Sequence, residues 1–207
     1  MRDLSIRGAG NLLGTEQHGF IDSVGFDLYS QMLNDAIKAK KEGKTYEETK
    51  PFEVEMSLAL DAYIPSEYIT DEAQKIEMYK QIQAADDLQD IYDTKDELLD
   101  RFGEYPQEVE DLLQVSRIRI LAKKERIQNI DERKNKMELL MDADESQKVD
   151  GAQLFTLANE YGRMVQLGTE GKQLKITFQF QRQNRVKRYQ VLEEFLSKLD
   201  ETKITNK

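Results

Sequence analysis

Cysteine and tryptophan are absent from the 207 residues, proline occurs three times and histidine once. Without cysteine the chain can form neither disulfides nor thiolate metal sites, which fits a reducing, cytoplasmic setting. A lone histidine, His18, cannot build a histidine metal cluster. No apolar run approaches the ~20 residues needed to span a bilayer, and mean hydropathy is −0.71. No apolar stretch follows Met1-Arg2-Asp3, so neither a signal peptide nor a membrane partner is expected.

Charge is present in excess but unevenly. Lys and Arg total 30 against 40 Asp and Glu, a net charge of −10. Residues 1–44 are balanced, residues 45–116 carry 20 acids against 5 bases, and residues 117–207 carry 19 bases against 14 acids. The acidic middle repels nucleic acid at long range and suits a basic protein surface. The plainer alternative is a solvated face that keeps the protein soluble.

Residues 1–19 stand apart. Arg7, Gly8, Gly10, Gly14, Gln17 and His18 fall in a stretch with little hydrophobic periodicity. Gly8-x-Gly10 is not a dinucleotide loop, because position 13, where the third glycine belongs, is Leu13 and no strand precedes it. Gly14-Thr15 lacks the lysine of a phosphate-binding loop. Glycines supply φ > 0 cheaply, so a bend between helices is the simplest reading. It leaves unexplained why Arg7 and Gln17 flank the bend. An arginine fork holds phosphate or carboxylate at two points, and a glutamine both donates and accepts.

Residues 18–41 read as a helix with a stripe of Phe26, Tyr29, Leu33 and Ile37. Residues 1–44 thus make a helical hairpin, and 45–51 a polar linker. Strand-like alternation runs from Phe52 to Tyr63, and Pro65 ends it. Thr70-Asp71-Glu72 opens a helix with Ile76, Tyr79 and Ile82 inward. Thr94-x-x-Glu97 predicts a capping box for a short helix stopping at Gly103. The helix after Pro106 shows Val109, Leu112, Leu113 and Ile120 as its apolar face. Residues 137–141 form a short apolar run and 152–161 a helix. Residues 163–167 and 173–180 pair as a hairpin across Gly171, and a final helix carries Val191, Leu192, Phe195, Leu196 and Leu199. The expected class is α+β: a helical hairpin, then helices on a small, mostly antiparallel sheet spanning 52–200, with a frayed tail at 201–207.

Three blocks carry a family resemblance. Arg2-Asp3-Leu4-x-Ile6-Arg7-Gly8-Ala9-Gly10-Asn11-Leu12-Leu13-Gly14, with Gln17-His18-Gly19, resembles the translocation motif of double-stranded-DNA motors. Val24-Gly25-Phe26-Asp27-Leu28-Tyr29 continues it. Ala62-Tyr63-Ile64-Pro65-x-x-Tyr68-Ile69 and Glu97-Leu98-Leu99-Asp100-Arg101-Phe102-Gly103 resemble the C-terminal domain of the transcription-repair coupling factor family. The likeness is strong over residues 1–130 and weak beyond.

The resemblance implies the end of an ATP-driven translocase that displaces stalled RNA polymerase from double-stranded DNA and recruits excision repair. Arg7 and Gln17 would transmit the movement and Gly8, Gly10 and Gly14 supply the bend, with His18 as a packing or hydrogen-bonding residue. The acidic domain would cover the basic, UvrA-binding surface of the same protein's N-terminal part, through Glu97 and Asp100. These acids lie three apart and so share one helix face. ATP and magnesium would belong to the parent motor, and no catalytic residue, cofactor or metal ligand is expected in these residues. The competing readings are a free-standing acidic adaptor or DNA mimic, and the end of a RecG-type fork helicase. The long acidic domain speaks against the latter.

The missing nucleotide loops predict that the purified 207-residue chain does not hydrolyse ATP. Phosphate release that follows the chain's own concentration through successive chromatographic steps would contradict this.

Overall fold

The computed structural model describes residues 51–181 and 185–205, with only the backbone of Arg185. The expected hairpin of residues 1–44 and all of the linker except Pro51 lie outside these residues. Within them, six helices and a five-stranded mixed sheet form one α+β unit. The elements are β1 (Glu55–Ser57), α1 (Glu72–Ala84), α2 (Leu88–Phe102), α3 (Gln107–Lys124), β2 (Ile127–Arg133), β3 (Lys136–Met141), α4 (Ala143–Ser146), α5 (Gly151–Asn159), β4 (Val165–Glu170), β5 (Gln173–Gln179) and α6 (Arg185–Lys198). A short 3-10 turn at Leu199–Thr202 follows α6.

The sheet order is β1-β2-β3-β5-β4. β1 joins β2 in parallel and every other pairing is antiparallel. The β4–β5 hairpin falls where its alternation predicts, turning at Gly171 with φ +60°. Ile176 and Phe178 point into the core, and Phe178 meets the α6 ring of Phe195 edge-on at 5.1 Å.

The alternation from Phe52 onward is real, but the strand is shorter than expected. Val54, Met56, Leu58, Leu60, Ala62 and Ile64 are all buried, yet only Glu55–Ser57 pairs with a neighbour. The later backbone donors go elsewhere. Ala59 N–H donates to the Glu132 carboxylate at 2.9 Å, Tyr63 N–H to Glu108 C=O at 3.3 Å, and Ile64 N–H to the Tyr79 hydroxyl at 2.7 Å. N–H groups taken out of water need partners, and these three find them in two side chains and the first turn of α3 instead of a ladder.

Two helices depart from their predicted form. α2 starts at Leu88, six residues before Thr94, because Asp87 and Asp90 form a reciprocal capping box. Thr94 is an interior residue whose hydroxyl donates to Asp90 C=O at 2.8 Å. Gly103 ends the helix as expected, with φ +80°. α3 is buried nearly all round: Val115, Ile118, Leu121 and Ala122 join the predicted face. It packs against α1, α2, α6 and β2 at once, so it is the central post and not a surface helix. Arg117 on its flank pairs with Glu193 of α6 at 2.7 Å and with Glu110 at 3.4 Å. Burial disfavours the Arg117 charge, but the two carboxylates offset this and raise its pKa.

Within the tail expected to fray, residues 202–204 are tied to the loop before α5. Thr202 is buried, Asp150 N–H donates to Thr202 C=O and Ile204 N–H to Lys148 C=O, each at 2.7 Å. Lys203 Nζ pairs with Glu145 at 2.7 Å and Glu125 at 3.4 Å.

Glu132 on β2 is the most consequential buried polar group. Its side chain is 1% exposed. One carboxylate oxygen accepts from Ala59 N–H and from the Tyr189 hydroxyl at 2.6 Å, and Arg188 lies 3.6 Å from the other. Glu132→Ala removes the acceptor of Ala59 N–H and the Tyr189 hydroxyl and the charge facing Arg188, and is expected to lower unfolding free energy by about 3–5 kcal/mol. Tyr189→Phe removes one hydrogen bond and is expected to lower it by about 1–2 kcal/mol. Urea titration of both variants tests the ranking, and equal losses would show that the carboxylate is not the hub.

Candidate functional site

α1 and α2 lie side by side, and their contacts decide which acids are left to meet a partner. Asp71 caps α1 by accepting from Gln74 N–H at 2.8 Å. Ile91, Thr94 and Leu98 turn the inner face of α2 into the core, so the opposite face is fixed toward solvent.

The structure separates the two predicted contact acids. Glu97 sits at the α1–α2 seam. One of its oxygens accepts from Gln81 Nε2 of α1 at 2.6 Å, and the other meets Arg101 Nη1 at 3.0 Å. Arg101 also reaches Glu77 of α1 at 3.4 Å, and its guanidinium lies 5.0 Å from the Phe102 ring centre. The hydrogen bond to Glu97 is the largest influence on Arg101, whose pKa is raised. Glu97 therefore binds the two helices together. Asp100 is exposed and, among the described residues, makes no hydrogen bond or ion pair.

Asp100 has company that the sequence reading missed. Asp93 and Asp96 occupy the preceding turns of the same outer face, both exposed. Asp93 accepts only from Gln89 at 2.8 Å, and neither forms an ion pair among the described residues. Tyr92, 45% exposed, and Leu99, 38% exposed, lie seven residues apart on this face. The outer face of α2 is thus a two-turn apolar strip flanked by three unneutralised aspartates. Recognising the Asp87–Asp90 capping box would have revealed it, because that fixes the helix start and hence the phase of every later residue.

Among the described residues no His, Cys, Asp and Glu group has the geometry of a metal site. No helix among them is long and apolar enough to cross a membrane. Arg7, Gly8, Gly10, Gly14, Gln17 and His18 lie outside the described residues.

Residues 58–154 match the family model of the TRCF domain. The chain is 51% identical over 179 residues to a transcription-repair-coupling factor of Bacillus subtilis strain 168, covering 86% of the chain and 15% of that protein. It is 46% identical over 177 residues to the one from Staphylococcus haemolyticus, with the same coverage. Against the one from Staphylococcus aureus strain NCTC 8325 identity is 45% over 183 residues, or 88% of the chain and 16% of the relative. The chain therefore spans about 15% of the length of these relatives. Among solved structures it is similar to a crystal structure of the C-terminal domain of transcription-repair coupling factor. The TM-score is 0.66 at 28% identity, covering 72% of this chain and 93% of that one.

Proposed function

The chain belongs with the transcription-repair coupling factors, in the part that folds as their C-terminal domain, and from that kinship we propose that it serves a motor it does not itself contain. In this reading the parent protein is an ATP-dependent translocase on double-stranded DNA. It removes stalled RNA polymerase and couples transcription to nucleotide-excision repair in the cytoplasm. Residues 1–44 pass the movement of the ATP cleft to DNA. Residues 52–200 restrain the parent by covering its UvrA-binding surface.

The observation that carries the restraint is the outer face of α2. Among the described residues, Asp93, Asp96 and Asp100 are exposed without ion pairs, whereas Glu97, Glu110 and Glu193 on neighbouring surfaces are paired with arginines. Unneutralised acids of one sign suit a basic partner, and charge complementarity sets specificity and release more than raw affinity. A clamp that must open favours this over a broad apolar seal. Each partly exposed pair contributes about 0.2–1 kcal/mol, so two of them shift a closed-to-open equilibrium roughly 2- to 30-fold.

Asp100→Lys in the full-length protein is expected to raise UvrA binding and basal ATPase with no change in melting temperature beyond about 2 °C. Glu97→Lys is expected to do the same but also to lower the melting temperature, because it breaks the α1–α2 seam. Raised salt should mimic Asp100→Lys, since exposed pairs are screened. If Asp100→Lys binds UvrA no better than the parent at both low and high salt, the restraint does not run through this face.

Arg7 and Gln17 carry the second part of the proposal, on the strength of their place in the translocation motif. Arg7→Ala or Gln17→Ala in the full-length protein is expected to leave ATP hydrolysis within about threefold of the parent, under 1 kcal/mol of barrier, while abolishing displacement of a stalled polymerase. Undiminished displacement by both variants in a stalled-complex assay would overturn it.

A further inference from the structure

A cleft of about 530 Å³ opens between the turn at residues 63–68 and the loop joining α2 to α3. Neither the restraint proposed above nor the packing of the core uses it. Tyr63, Tyr68 and Tyr105 line it, with Pro65 and Pro106 between them. Glu67, Glu104 and Glu108 stand around it, and no base is among the lining residues.

Its walls are fixed. The Tyr68 hydroxyl donates to the C=O groups of Gly103 at 2.7 Å and Leu98 at 3.0 Å, at the C-terminal end of α2. The Tyr105 hydroxyl donates to Glu110 at 2.8 Å. Burial first, and for Tyr105 also its Glu110 partner, raise both phenol pKa values. The Tyr63–Glu108 backbone hydrogen bond ties the two walls together. The rings, packed in part against the core, are therefore held in place without having to be ordered by a ligand.

The surrounding carboxylates are uncommitted. Among the described residues, Glu67, Glu104 and Glu108 make no side-chain hydrogen bond or ion pair, while the adjacent Glu110 is held by Arg117 and Tyr105. As a first-turn acid, Glu108 also suits the N-terminal end of α3. Glu67 and Glu104 have no such local role.

From this geometry we infer that the cleft receives an arginine side chain presented by a partner protein. A guanidinium stacks on tyrosine rings and bonds two carboxylate oxygens through its planar fork, and this cleft supplies both kinds of group. The fold already uses the same contact internally: Arg126 lies 4.2 Å over Phe52 and Arg101 5.0 Å over Phe102. Lysine, a strongly hydrated point charge, gains less from ring faces and cannot bridge two carboxylates in a plane.

The full chain with 13C-labelled tyrosine offers nine reporter signals, and Tyr63→Phe, Tyr68→Phe and Tyr105→Phe assign the three in question. The probe is the peptide acetyl-Gly-Arg-Gly-amide, with lysine and citrulline counterparts. The three assigned signals should shift saturably with a Kd of about millimolar, and the citrulline peptide should bind about tenfold more weakly. Glu67→Gln with Glu104→Gln should weaken the arginine peptide at least about fivefold, while Asp93→Asn with Asp96→Asn, which removes equal charge from the outer face of α2, should change it less than about twofold. Absence of saturation overturns the inference. So does equal binding of the lysine or citrulline peptide, or equal loss in the two double variants. UvrA plays no part in this assay, so its failure leaves the restraint untouched, and failure of the restraint leaves the cleft untouched.

Discussion

One carboxylate decides how the two halves of this domain meet. Glu132 projects from β2 into the seam between the extended run after β1 and the start of α6, accepting from Ala59 N–H and Tyr189 and facing Arg188. Arg188 in turn donates to Lys134 C=O at 2.8 Å and to Asn135 at 2.7 Å, the turn between β2 and β3. A segment early in the domain, the centre of the sheet and the last helix thus share one acceptor. A buried carboxylate is favourable only when its donors are all in place. The arrangement therefore tolerates little sliding of the early run, and the parallel register of β1 on β2 is held from beyond the end of its three-residue ladder.

The legible parts of the fold are those where a single periodicity governs the chain. The β4–β5 hairpin, the Asp71-capped helix and the glycine stop at Gly103 were all readable, because each depends on local residues. β2 was not. A register shift between Ile127 and Asn129 breaks its alternation, and its inward positions include the acid Glu132, which reads as surface. The all-round burial of α3 was also hidden, since Gln114, Ser116 and Arg117 are buried in it and look like an outer face in sequence. Thr94 misled because it begins a Thr-x-x-Glu pattern inside a helix that two aspartates had already started. Fixing on the side chains nearest to a familiar block has the same limit at the site. Glu97 and Asp100 do share a helix, but only tertiary structure shows that Gln81 and Arg101 claim the first and leave the second outward.

The acids of this domain have different jobs. Some neutralise arginines and join helices, as Glu97, Glu110 and Glu193 do. One organises the interior. Two groups without an ion pair among the described residues stand out, three aspartates along α2 and three glutamates around the tyrosine cleft. Asp100 and Glu104 flank the glycine end of α2, and Glu67 comes from the turn before α1. A partner surface approaching α2 therefore meets a field of one sign from two directions, which favours rapid encounter and strong dependence on ionic strength.

The residues after α6 close a ring. Thr202 and Ile204 are stitched to Asp150 and Lys148, Val149 bridges to Lys203, and the Lys203 ammonium is clasped by two glutamates. A loop of roughly fifty residues is thereby shut at its neck, the role a disulfide performs in secreted domains by limiting the freedom of the unfolded chain. In a chain without cysteine the fastening is made of backbone hydrogen bonds and one ammonium. It is indifferent to redox state, it forms without an oxidant, and it can be undone by a pull on the C-terminal strand of the knot and remade when the pull ceases.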